Sequence, residues 1–139
     1  MILIDTNVIS EPLRPQPQAS VIAWLDRQPI ETLYLSAITV AELRYGIAIL
    51  PDGRKKQLLT ERLEQAVLPL FAGRILDFGI DASATYAQVR AIARAAGYAV
   101  AAADGYIAAI ARLHNFVVAT RDTSPFAATG LQVINPFQE

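Results

Sequence analysis

Four carboxylates stand where a solvent-facing acid is not expected. Asp5 follows the apolar run Ile2-Leu3-Ile4. Glu42 sits inside Ile38-Thr39-Val40-Ala41-Glu42-Leu43. Asp104 interrupts Ala101-Ala102-Ala103-Asp104-Gly105-Tyr106-Ile107. Asp122 lies in Thr120-Arg121-Asp122-Thr123-Ser124-Pro125. Of the 13 acidic residues, most, such as Asp26, Asp52, Glu61 and Glu64, have polar neighbours and read as ordinary solvent acids. Each of the four also has a bland reading. Asp5 and Asp104 suit helix caps. Asp104 has Ile107 where a capping box would place Glu or Gln. Asp122 suits a turn or a cap. Glu42 has helical neighbours Ile38, Tyr45, Gly46 and Ile49, and a charge on such an apolar stripe must be paired, by an arginine or by a bound cation.

Were the four to meet, they would repel: two carboxylates about 4 Å apart cost about 4 kcal/mol at an effective dielectric of about 20. Either some are protonated or divalent cations neutralise them. All-oxygen donors without His or Cys select Mg²⁺ or Mn²⁺. Asn7 and Thr120 are close enough in sequence to assist. An acid-lined site for such ions suits phosphodiester hydrolysis by metal-activated water.

The elements that must position these groups alternate. Strands are expected at Ile2-Leu3-Ile4, Leu33-Tyr34-Leu35, Ile75-Leu76 with Phe78, Phe116 to Ala119 and Leu131 to Ile134. Helices are expected at Val8 to Leu13, Ser20 to Arg27, Ser36 (cap) to Leu50, Arg54 to Val67, Ala82 to Ala96 and Ala102 to His114. Residues 82–111 hold 14 alanines, which favour helix and close packing. This order implies an α/β fold with a parallel sheet between helices, in one domain over residues 1–139. In such a sheet, ligands bind at the carboxyl ends of the strands. Asp5 and Asp122 leave strands at that edge. The helix carrying Asp104 starts there, and Glu42 lies about 9 Å along a helix that leaves the same edge.

Composition narrows the rest. The chain has 139 residues, 53% apolar, a net charge of −1 and a mean hydropathy of +0.32. That excludes disorder. No purely apolar run exceeds six residues, too short for a membrane span. The N-terminus lacks the basic flank of a signal peptide. Cysteine is absent, which excludes thiol chemistry and agrees with a reducing compartment. Near-zero charge argues against a general polyanion binder, so nucleic-acid contacts need a local patch: Arg54-Lys55-Lys56, or Arg90 and Arg94 on one helix face. His114, the single histidine, reads as a helix C-terminal cap, which disfavours a Ser/His/Asp triad. No phosphate-binding glycine loop is present. A phospho-acceptor domain is disfavoured because Asp77 precedes Phe78 instead of ending the third strand. Trp24 reads as core.

With the four acids in hand, the chain resembles a PIN domain of the VapC toxin family. Asp5-Thr6-Asn7-Val8-Ile9, Thr39-Val40-Ala41-Glu42-Leu43, Asp104-Gly105-Tyr106-Ile107-Ala108-Ala109 and Ala119-Thr120-Arg121-Asp122 are similar to the family's motifs, in order. The runs Ile9 to Pro15 and Val133 to Pro136 resemble one branch of it, whose members are better described as parts of DNA-binding complexes than as efficient nucleases. The resemblance implies a three-layer α/β/α fold with a parallel sheet of about five strands in the order 3-2-1-4-5. It implies a Mg²⁺- or Mn²⁺-dependent endoribonuclease, the cytoplasmic toxin of a type II toxin–antitoxin pair. It also implies a homodimer and a small DNA-binding antitoxin, often ribbon-helix-helix, whose tail lies in the acidic cleft. Asp5 and Asp104 would be the main metal ligands, Glu42 and Asp122 would complete the site, and Thr6, Asn7 and Thr120 would support it. The alternative is a weakly catalytic or non-catalytic subunit that binds the antitoxin through this cleft and tunes operator binding.

Overall fold

The computed structural model describes residues 1–139. Its five strands are β1 (Ile2–Ile4), β2 (Leu33–Ser36), β3 (Ile75–Leu76), β4 (Val117–Ala119) and β5 (Val133–Ile134). They form one sheet in the order β3-β2-β1-β4-β5, and every neighbouring pair is parallel. The first strand is thus the central one, as a fully apolar run at the start of the chain suggests. Leu3 pairs with Tyr34 on one side and Val118 on the other.

Seven helices connect the strands: α1 (Thr6–Ile9), α2 (Ala19–Arg27), α3 (Ala37–Ala48), α4 (Arg54–Glu61), α5 (Ile80–Ala95), α6 (Ala102–His114) and α7 (Thr123–Ala128). Successive side chains of a strand point to opposite faces. Ile4 therefore joins a core with Val21, Trp24, Leu35, Leu43, Leu63 and Phe71 under α1 to α3 and the turns that follow α4, whereas Leu3 joins one with Val89, Ile107, Ile110, Val118 and Phe126 under α5 to α7. The alanine-rich stretch packs this second layer tightly: Ala108, Ala109 and Ala111 are fully buried.

Several boundaries differ from expectation. The helix expected over Val8 to Leu13 is α1 followed by a 3-10 turn, Glu11–Leu13, because Pro12 at the second position has no N–H to continue the helix. The helix to Val67 keeps its length but loosens into a π turn over Arg62–Val67 and a 3-10 turn over Leu68–Phe71, where Pro69 sits. Phe78 lies outside β3, and β5 is two residues long. The helix α7 was not expected. Short and Ser/Pro-containing, it has little helical periodicity and is held by Phe126, which is fully buried. His114 is exposed in the last turn of α6, with its ring 5.6 Å from that of Phe116. The closing residue is Asn115, which adopts φ 62° and donates its N–H to Ala111 and Arg112.

Candidate active site

All the site side chains leave the carboxyl edge of the sheet. The ladder runs one residue past the strands: Asp5 N–H donates to the Ala119 carbonyl (2.9 Å) and Thr120 N–H to that of Ile134 (2.9 Å). Asp5 and Thr120 are thereby pinned side by side, and the Thr120 hydroxyl donates to Asp5 Oδ2 at 2.8 Å. Asp5 Oδ1 accepts from Thr6 N–H at 2.8 Å, so the cap reading and the cleft reading of this residue both hold.

Asn7 ties the ends of the chain together. Its Nδ2 lies 3.3 Å from Asp5 Oδ2, 3.4 Å from Thr120 Oγ1 and 3.4 Å from Asp122 Oδ2, while its Oδ1 accepts from Arg121 N–H at 3.1 Å. The Thr120 hydroxyl also accepts from Asp122 N–H (3.1 Å). Asp122 occupies the N-cap position of α7 yet makes no side-chain cap bond, so its carboxylate is free to face the cleft.

Ser36 caps α3 by accepting from Thr39 N–H at 3.0 Å. That fixes the helix start and the direction of Glu42, whose Oε1 accepts from the Thr6 hydroxyl at 2.7 Å. Thr6 Oγ1 also lies 3.1 Å from Thr39 Oγ1. It has one proton, and the carboxylate is the stronger acceptor. Thr39 was not anticipated; the signal was its place three residues before Glu42 on the same helix face.

The expected reason for Glu42 is corrected. Glu42 is exposed, and its neighbours Tyr45 and Ile49 are 67% and 64% exposed, so the apolar stripe is no buried surface. Glu42 pairs with no cation. Asp104 is half-buried in the first turn of α6; the cap position is Ala101, and no side chain caps this helix.

The electrostatics join the four acids. Burial pushes the Asp5 carboxyl up from 3.8 to about 6, against hydrogen bonds from Thr120 and Thr6 N–H, with Asp104 and Glu42 adding to the rise. Burial also raises Asp104, helped by the charges of Glu42 and Asp122. The three ion pairs of the chain, Arg14–Glu11, Arg44–Glu64 and Lys56–Asp52, all lie elsewhere. No three Asp, Glu or His side chains are drawn together tightly enough to cage an ion as they stand. The field therefore couples the acids over a longer reach than ligation does. An oxygen-only donor set around a buried carboxylate with no protein counter-charge fits a hard divalent cation.

One buried acid escaped the sequence reading. Glu11 is 2% exposed and accepts from Arg14 (3.1 Å) and from Gln18 N–H (3.1 Å). Its position within Ser10-Glu11-Pro12-Leu13 carries no periodic signal. Of the basic cluster, Lys56 is tied to Asp52 and the Ala48 carbonyl. Arg54 and Lys55 line a groove of about 850 Å³ with Leu13 and Leu58. Lys55 also lines a smaller depression, about 350 Å³, shared with Thr6 and Glu42. No helix is long and apolar enough to cross a membrane.

Comparison with known proteins follows the same lines. The profile of the PIN domain matches residues 2–130. The chain is 60% identical to "Toxin FitB" of Neisseria gonorrhoeae over all of both sequences. It is 56% identical to "VapC ribonuclease Y4jK" of Sinorhizobium fredii over 99% of each. Its fold superposes with a TM-score of 0.96 on a chain of FitAB bound to an IR36 DNA fragment, at 60% identity, covering 99% of this chain and 96% of that one.

Proposed function

The chain belongs to the PIN-domain family, and from that premise we propose that residues 1–139 act as one domain, the toxin of a VapBC/FitAB-type toxin–antitoxin pair, and hydrolyse RNA. The observation that carries this reading is the convergence of Asp5, Glu42, Asp104 and Asp122 on one edge of the sheet, none of them ion-paired to a protein cation. The VapC ribonuclease name of a 56% identical relative supports it.

Asp5 and Asp104 would hold Mg²⁺ or Mn²⁺, with Glu42 and Asp122 completing the site. When bound, the cation supplies Lewis acidity, which makes water a nucleophile near neutral pH and offsets charge on the phosphoryl group. The rest is done by the chain. Thr120 and Thr6 N–H fix the two oxygens of Asp5 so that its carboxylate needs no reorientation when it is used. Asn7 sets the separation of Asp5 and Asp122, and Thr6 does the same for Glu42. The partners proposed are a second copy of the chain and a small DNA-binding antitoxin, of the ribbon-helix-helix kind, acting in the cytoplasm.

A second reading has its own observation. The structural relative with a TM-score of 0.96 is seen in a DNA-bound complex. In that reading the cleft holds an antitoxin cation, turnover is negligible and the role is to tune operator binding. One assay separates the two: purified protein with a panel of structured RNAs, with Mn²⁺ and with EDTA. Mn²⁺-dependent cleavage lost in Asp104→Asn supports the nuclease. Cleavage that persists in EDTA, or none in Mn²⁺ alongside tight metal-independent antitoxin binding, rejects it.

A further inference from the structure

The C-terminal end of α5 turns back on itself. Gly97 adopts φ +82°, Gly97 N–H donates to the Arg94 carbonyl (2.9 Å) and Tyr98 N–H to that of Ala93 (2.9 Å). This closure folds residues 97–100 over the last turn and, with Arg90 and Arg94, which stand one turn apart, lines an open cavity of about 630 Å³. Volumes of this size suit a small ligand. No acid lines it. Neither arginine is ion-paired, and the helix carbonyls at this end are spent on Gly97 and Tyr98.

The cavity is joined to the acidic cleft through α6. Its wall, residues 97–100, leads directly into α6, whose first turn carries Asp104. Gly105, the next residue, lies so close to Arg90 that a Cβ there would stand 3.3 Å from Arg90 Cδ and 2.9 Å from a Tyr86 ring carbon. Arg90 in turn donates to the Tyr86 hydroxyl at 2.8 Å, and Tyr86 stacks on Tyr106 with centroids 4.8 Å apart. Arg90 is thus a held cation on a rigid aromatic stack. Arg94 makes no hydrogen bond to another group through its side chain, and Tyr98 presents an exposed ring in the same cavity.

A polyanion entering an acidic cleft needs positive charge nearby that is not already neutralised. Arginine forks match phosphate, and a tyrosine face accepts any base. We propose that this cavity is a nucleotide subsite of the RNA strand, with a phosphate neighbouring the scissile one on Arg90 and Arg94 and a base against Tyr98. The subsite rests on the nuclease reading for its place in the reaction, but it is tested by binding.

The test is fluorescence anisotropy with a labelled single-stranded RNA of about 10 nucleotides, in EDTA on the Asp5→Asn background, where cleavage is absent and the cleft carries less charge. Arg94→Ala lowers affinity roughly tenfold, the worth of one charged hydrogen bond, and lowers the slope against log salt by about 0.7. Arg90→Ala lowers affinity similarly, and Arg90→Lys restores part of it. In the otherwise wild-type enzyme, Arg94→Ala raises KM for the oligonucleotide with little change in kcat. Arg94 has no partner to lose, so its variant folds normally. Equal RNA affinities of parent and Arg94→Ala overturn the subsite. Arginine-dependent binding by a protein whose wild-type form cleaves no RNA in Mn²⁺ overturns the nuclease reading and supports the subsite.

Discussion

Asp5 and Glu11 are both buried acids of the first sheet crossover, and they are solved in opposite ways. Glu11 has its counter-charge three residues away: Arg14 donates to one oxygen and Gln18 N–H to the other. Both oxygens are satisfied from within the chain, and Glu11 pins the loop that returns to α2. Asp5 also has satisfied oxygens, but only from neutral donors, Thr120, Asn7 and Thr6 N–H, and the charges that face it are Asp104 and Glu42. A buried acid with a protein cation is a joint. One without, among other acids, is a site waiting for positive charge from outside.

The strongest way to break this contrast is to neutralise each acid and read catalysis. On the proposed nuclease reading, Asp5→Asn or Asp104→Asn lowers Mn²⁺-dependent RNA cleavage by more than about 100-fold with the fold intact, as loss of a proposed ion ligand should. Glu11→Ala leaves cleavage per folded molecule unchanged. Cleavage lost in Glu11→Ala and kept in Asp104→Asn would erase the distinction.

Stability then runs the other way. The folded-state value of Asp5, about 6, lies above its ordinary 3.8. The folded protein therefore binds this proton more tightly than the unfolded chain. The stabilisation is fully present below pH 3.8 and is lost as pH rises through about 6. It amounts to as much as about 3 kcal/mol. In EDTA, wild type falls in stability relative to Asp5→Asn between pH 4 and pH 7 on denaturant titration. A pH-independent difference between the two would refute the burial of an unpaired charge.

Glu11→Ala costs about 2 kcal/mol, because Gln18 N–H loses its acceptor and a cavity is left, while Arg14 returns to water. The measure is a lower urea midpoint at an unchanged m-value. The smallest effect is expected for Thr120→Val, which removes the 2.8 Å donor to Asp5 and nothing that holds an ion directly. The Mn²⁺ concentration for half-maximal cleavage rises by roughly tenfold; no rise would reduce Thr120 to packing.

Much of the fold was legible because its signals are local. Apolar runs marked all five strands, and Ser36 read correctly as the cap of α3. The four acids were legible as exceptions to local pattern, and topology alone brought them to one edge. Glu42 lies at the expected edge, but not on a buried stripe: its helical neighbours are apolar in composition and face outward, and periodicity counts residue types without knowing what covers them. Glu11 and α7 were missed because each is held by tertiary contacts that leave no mark in their own few residues.

By itself the amino-acid order determined the five strands, six of the seven helices, the parallel α/β class and four of the acids that are out of place, because these depend on interactions within a few residues. Only the tertiary structure decided that Thr120 grips Asp5 and Asn7 reaches Asp122, across 115 residues of chain in each case. It also decided which buried acid finds an arginine and which does not. Those outcomes depend on distances between distant segments, and hydrogen bonds and charges act on distance in space, which residue order leaves open until the sheet has closed.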